Sequence, residues 1–246
     1  ERERDLKYDG KCVETIPHVT EEVQKRIKKA ASETGADFLL VEIGGTVGEY
    51  QNMLFLEAAR LIHLLHPQDT LFMLVSYLPI PKMVGEMKTK PTQYAARTLN
   101  SAGIQPDFII ARSEVPLDEP RKKKIATFCN VAPDDVISAP DITSIYEIPV
   151  NFEKDRIGNK ILKKFRMKPK KASGLADWNR LVEKIKMVSK PIKIGIIGKY
   201  FHSGNFVLKD AYLSVIEAIK HAAWHWDRKP EIQWLDSEIY EKNPKA

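Results

Sequence analysis

The chain has 246 residues, 43% of them hydrophobic and 29% charged, a balance that excludes a disordered polymer. The length allows one large domain or two small ones. A formal net charge of +6 suits an anionic ligand. The basic residues, however, cluster only in "RKKK" and "KKFRMKPKK", which read as solvated faces, so no nucleic-acid partner is expected.

The first stretch with strand character is "CVETIPHVT", ended by Pro17 and His18. "TEEVQKRIKKAASETG" then reads as a helix. Thr20 is its expected N-cap, acids fill its first turn, and Val23, Ile27, Ala30 and Ala31 share a face before Gly35 stops it. "ADFLLVEIG" is a continuous apolar run, as in a parallel strand covered on both faces. A helix over "NMLFLEAARLIHLLHP" follows, then a strand in "DTLFMLVSYLP", a helix in "TQYAARTLNSAG" and a strand in "PDFIIARS". "DEPRKKKIATFC" is the next helix and "DDVISAPD" a short strand. This alternation predicts an α/β fold with a mostly parallel sheet flanked by helices. After about residue 168 comes a tether containing a short helix that begins near Asp177. "IKIGIIGKY" then opens a fresh buried strand, "DAYLSVIEAIKHAAWHW" is amphipathic, and "EIQWLD" closes with strand character.

In a parallel α/β sheet, ligands bind outside the carboxyl ends of the strands. Three groups of residues fall there, and a lysine on a helix could point toward the same edge. Glu42 ends an apolar run and is followed by "GGTVGE", whose glycines let backbone N–H groups approach an anion. A carboxylate so placed suits Mg²⁺, with waters and phosphate oxygens completing its shell; the alternative is an acid that caps a turn. "GEMKTKPTQ" puts Lys88 and Lys90 on a short loop stiffened by Pro91, with Gln93 close behind, which suits a polyphosphate as well as a plain solvated loop. Lys124 lies on the side of its helix nearest the apolar residues, and Asp141 follows Pro140 after a strand. Either could be a solvated charge or a turn residue instead.

Histidine and cysteine add little. His221 and His225 stand four apart on one helix but lack a nearby carboxylate pair, His63 and His66 close a helix, and His18 sits at the expected edge of the site. Cys12 and Cys129 lack metal-ligand spacing and read as reduced thiols of a cytoplasmic protein. No run of apolar residues is long enough for a membrane-spanning helix, so no membrane partner is expected.

Taken together, "VEIGGTVGE", "GEMKTKPTQ", "IATFCNV", "VISAPDITSIYEIP" and "IGIIGKY…DAYLSVIEAIKHA" resemble the CTP synthase family over nearly the whole chain. The resemblance implies an amidoligase domain of P-loop, dethiobiotin-synthetase-like fold over residues 1–167, a linker over 168–190, and the start of a class I glutamine amidotransferase domain over 191–246. It implies ATP-dependent amination of UTP to CTP, with ammonia from glutamine, Mg²⁺ as cofactor, GTP as allosteric activator and a homotetramer. Glu42 would hold the metal. Lys88, Thr89, Lys90, Pro91, Thr92, Gln93 and Lys124 would bind UTP or CTP, with Lys88 and Lys90 catalytic. Pro140, Asp141 and Ile142 would lie against ATP, and Glu49, Tyr50 and Gln51 against inhibitory CTP, with Glu57 and Arg60 nearby.

The resemblance has departures. The family usually has "DIE" where this chain has "EYQ", so a neutral Gln51 replaces an acid. "LKDAY" stands for "LPDAY" after an atypical "FHSGNF". The family's phosphate loop and second metal-binding Asp would lie before residue 1, and its glutaminase Cys, His and Glu after Ala246. With no initiating Met, the chain is expected to be a fragment that makes no CTP alone. Two other readings stay open: a P-loop partner ATPase or non-catalytic nucleotide-binding regulator, and a subunit that matters mainly for assembly through "FLEAARLIHLL".

Overall fold

The computed structural model describes residues 1–170, 174–199, 202–203, 206–207 and 212–242. They form two compact units, Glu1–Lys170 and Lys171–Ala246. In the first, a parallel three-stranded sheet runs β1 (Met73–Tyr77), β2 (Phe108–Ser113), β3 (Val136–Pro140), in that order. The helices are α1 (Thr20–Thr34), α2 (Met53–Leu65), α3 (Lys90–Ser101), α4 (Glu119–Cys129), α5 (Ile148–Lys154) and α6 (Ile157–Lys164). The chain is therefore α/β with a parallel sheet flanked by helices, as the alternation predicts.

Side-chain alternation explains the layers. On one face of the sheet Leu74, Ile109, Ala111 and Val136 join Ala96 of α3 and Ile125, Ala126 and Cys129 of α4. On the other, Phe108, Ile110 and Ile137 take Phe152 of α5 and Ile157 and Ile161 of α6. β2 is thus buried on both sides, and Phe108 is fully enclosed. Enclosing one such side chain contributes about 1.5–3 kcal/mol. At the edge strand β1 the second face stays open, with Met73, Val75 and Tyr77 exposed.

The helix ends follow from local chemistry. α3 buries Thr92, Ala96 and Leu99 at helical spacing and carries Pro91 in its first turn, where no intrahelical N–H bond is lost. α4 starts at Asp118, whose carboxylate accepts from Arg121 N at 2.9 Å, and ends at Asn130 in the left-handed region.

Four local expectations are corrected. Residues 11–14 have no regular structure, and Thr15–Val19 form a π-type turn leading into α1, so "CVETIPHVT" is not a strand. Thr20 is not an acceptor cap, because its buried hydroxyl donates to Pro17 O at 2.7 Å. "ADFLLVEIG" is not a strand either. The sheet ends at β1 with no ladder to these residues, and a strand exists only where a neighbour takes its backbone groups. Leu40 there is 92% exposed and Val41 53%.

In the second unit, α7 (Ala176–Met187) precedes β4 (Pro191–Gly198), which pairs in parallel with β7 (Lys229–Asp236) along its whole length. A short antiparallel pair, β5 (His202–Ser203) and β6 (Phe206–Val207), lies between. α8 (Leu213–His225) buries Ile216, Ala223 and Trp224, and α9 (Ser237–Lys242) follows β7. β4 is the fourth correction: as half of a two-stranded sheet it leaves Ile192 and Ile197 exposed, so it is not a buried strand. Phe201, Gly204 and Asn205 of "FHSGNF" and all of "LKDA" lie outside the described residues. Among the described residues no helix is long and apolar enough to cross a membrane.

Candidate functional site at the carboxyl edge of the sheet

The loop after β1 turns back early, because Lys88 N donates to Pro79 O at 2.9 Å. Met87 and Thr89 are buried on either side, so the backbone that carries Lys88 is held in place. Thr89 Oγ1 accepts from Gln93 Nε2 at 3.0 Å, and Thr92 Oγ1 shares a 2.8 Å bond with Ser76 of β1. These bonds seat the first turn of α3 on the strand end. Lys90 and Pro91 are exposed on that turn.

The Lys88 ammonium does not stand alone. It donates to Glu86 Oε2 at 2.7 Å, while Arg121 of α4 approaches Glu86 Oε1 at 3.3 Å. Arg121 Nε also donates to Met87 O at 3.3 Å, and its Nη1 bonds the capping Asp118. The Lys88 hydrogen bond and charge hold the Glu86 carboxyl below the usual carboxylate range, and the charges of Arg121 and Lys124 push the same way. Lys88 and Arg121, 33 positions apart by their numbers, therefore converge on one carboxylate. Neither Glu86 nor Arg121 was singled out from sequence. The signals were present: Glu86 lies inside "GEMKTKPTQ", and Arg121 lies three residues after a capping Asp.

The turn after Glu42 packs nearby. Val47 joins the apolar cluster that contains Met87 and Ala96, and a Cβ on Gly48 would stand 3.0 Å from Thr98 of α3. Glu42 is exposed and, among the described residues, has no side-chain partner. Gly45 requires its hydrogen: at φ +80° a Cβ would lie 2.5 Å from Asn52 Nδ2 and 2.7 Å from Glu49 Oε2. The Glu49 carboxylate accepts from Gln51 Nε2 at 2.9 Å, and Tyr50 is 97% exposed. Glu57 and Arg60 form a bidentate pair at 2.8 and 2.6 Å on α2, which holds the Glu57 carboxyl below its ordinary range.

Pro140, Asp141 and Ile142 make a separate corner at the end of β3. Asp141 N donates to Ser113 O at 2.8 Å and its carboxylate faces Arg112 of β2 at 3.5 Å. His18 lies elsewhere in its local packing. Its Nδ1 accepts from Glu14 N at 3.0 Å, its ring stands edge-on to Tyr8, and it lines a cavity of about 370 Å³ with Arg2, Glu22 and Lys25. His221 is tilted against Trp224 and His225 stands edge-on to Trp226, and among the described residues no three His, Cys, Asp or Glu side chains gather as metal ligands.

Comparison with known proteins adds an independent line. A family profile described as CTP synthase N-terminus matches residues 1–167. The chain is 44% identical over 242 residues to the CTP synthase of Sulfolobus acidocaldarius, covering 98% of this chain and 45% of that protein. It is 40% identical over 238 residues to that of Methanothermobacter thermautotrophicus, covering 96% and 44%. For the CTP synthase of Pyrococcus furiosus the identity is 43% over 242 residues, covering 98% and 44%. The chain thus spans a little under half the length of these relatives.

Proposed function

The chain belongs to the CTP synthase family, and from that premise we propose that it carries the nucleotide-binding edge of a glutamine-hydrolysing CTP synthase. In that reaction ATP transfers its γ-phosphoryl group to O4 of UTP. Ammonia from glutamine hydrolysis then adds at C4 and phosphate leaves, giving CTP. The convergence of Lys88 and Arg121 at one carboxyl edge supports this reading most. Such a group suits a triphosphate, whose oxygens accept charge-assisted bonds.

In this reading Thr89 and Thr92 keep the lysine loop seated, while Lys88, Lys90 and Lys124 offset the triphosphate and Gln93 completes the UTP side. Pro140, Asp141 and Ile142 take ATP. Glu42 would hold Mg²⁺: it is unpaired among the described residues, and a Cβ on the neighbouring Gly44 would meet nothing within 4 Å, which leaves room for a hydrated ion. One carboxylate, several waters and substrate phosphates are a usual Mg²⁺ shell. When bound, the ion neutralises charge on the transferring phosphoryl group. CTP would inhibit by occupying Glu49, Tyr50 and Gln51, with a weaker grip because Gln51 is neutral and already bonded to Glu49. GTP activation, a homotetramer, a cytoplasmic setting and the division at residues 167 and 190 belong to the same proposal.

The test is a calorimetric titration with UTP and with uridine in the presence of Mg²⁺. UTP is expected to bind and uridine not, and Lys90→Ala to weaken UTP about tenfold, the scale of one partly screened charged contact. Equal binding of UTP and uridine, or none of UTP, would overturn the reading.

A further inference from the structure

We infer that Glu86 is an internal counter-ion of the lysine loop, whose carboxylate occupies Lys88 and Arg121 until an incoming polyphosphate displaces it. The inference rests on the nucleotide reading above and adds a competitor built into the same site.

The geometry sets one anion between two cations. Lys88 Nζ lies 2.7 Å from one Glu86 oxygen and Arg121 Nη2 3.3 Å from the other. The Lys88 contact is in water: the side chains of Glu86 and Lys88 are 55% and 40% exposed, while Arg121 is half-buried. Exposed ion pairs are weak, so a phosphate carrying more charge and more acceptor oxygens exchanges with them readily.

The backbone makes the exchange mechanically simple. Met87 and Thr89 are buried and Lys88 N is bonded to Pro79 O, so Lys88 stays where it is. On the other side, Met83 and Val84 are exposed, and Gly85 sits at φ +64° with nothing within 4 Å of where a Cβ would stand. Glu86 therefore follows a solvent-facing turn, closed by Val84 N and Gly85 N on Pro81 O at 2.9 Å, and leads into the anchored Met87–Thr89 segment. Arg121 keeps its bonds to Met87 O and Asp118 when Glu86 leaves, so it still faces the loop and serves as a further phosphate contact.

The test is Glu86→Gln, which keeps the shape and removes the charge. Titrated with UTP and with inorganic tripolyphosphate, this variant is expected to bind both about three- to tenfold more tightly than the unmodified chain. The gain should disappear in a Lys88→Ala background. Glu114→Gln, which removes another exposed carboxylate just after β2, should leave affinity unchanged. Unchanged or weaker binding by Glu86→Gln overturns the counter-ion role, as does an equal gain from Glu114→Gln. Failure of the unmodified chain to bind UTP overturns the nucleotide reading itself.

Discussion

Two segments of the first unit begin almost alike: Asp37-Phe38-Leu39-Leu40-Val41 and Asp107-Phe108-Ile109-Ile110-Ala111. The second is the central strand of the sheet, with Phe108 and Ile109 fully buried. The first has no ladder partner, and its Phe38 is 44% exposed, tilted against Phe165 at 5.6 Å. Their aspartates differ in the same sense. Asp107 accepts from Phe72 N at 2.9 Å and pairs with Lys164, whereas among the described residues Asp37 meets only Lys170, at 3.9 Å. An apolar run thus sets a demand for cover, while backbone partners on both sides decide whether a buried strand results.

The comparison can be broken by mutation. Phe108→Ala is expected to cost about 3–5 kcal/mol in urea unfolding, and Phe38→Ala under about 1 kcal/mol. Similar losses would mean that the two segments are equally covered. Next in size, Asp107→Ala should cost about 1–3 kcal/mol by leaving Phe72 N unsatisfied, whereas Asp37→Ala should change stability by less than about 0.5 kcal/mol.

Covered and open regions also differ in their cysteines. Burial pushes the Cys129 thiol up to about 11, while Cys12 is exposed. A folded pKa above the unfolded one gives stability that is present at neutral pH and lost as pH rises toward about 11, because the unfolded chain deprotonates first. The loss should reach roughly 1–2 kcal/mol by pH 10 and be absent in Cys129→Ala. An alkaline loss of the same size in that variant would assign it to another group.

Much of the fold was legible because its signals are local. Helical spacing, Gly35 and the Pro91 turn place α1 and α3 without knowledge of their neighbours, and alternating elements place the sheet. What was not legible depends on partners distant in sequence. Whether residues 36–42 form a strand depends on a ladder, and β4 is exposed because its sheet has two strands. At the candidate site, the lysines were readable as a charged loop. The convergence of Lys88 and Arg121 on Glu86 depends on α4 packing beside α3, which no spacing within either motif encodes.

The central claim is that cations from the β1–α3 loop and from α4 hold a single triphosphate. A double-mutant cycle of Lys88→Ala and Lys124→Ala on UTP affinity addresses it most directly. Each variant should weaken binding about five- to tenfold, and the pair should lose less than the product of the two, because both charges act on one ligand. Affinities within twofold of the unmodified chain for either single variant would contradict the account.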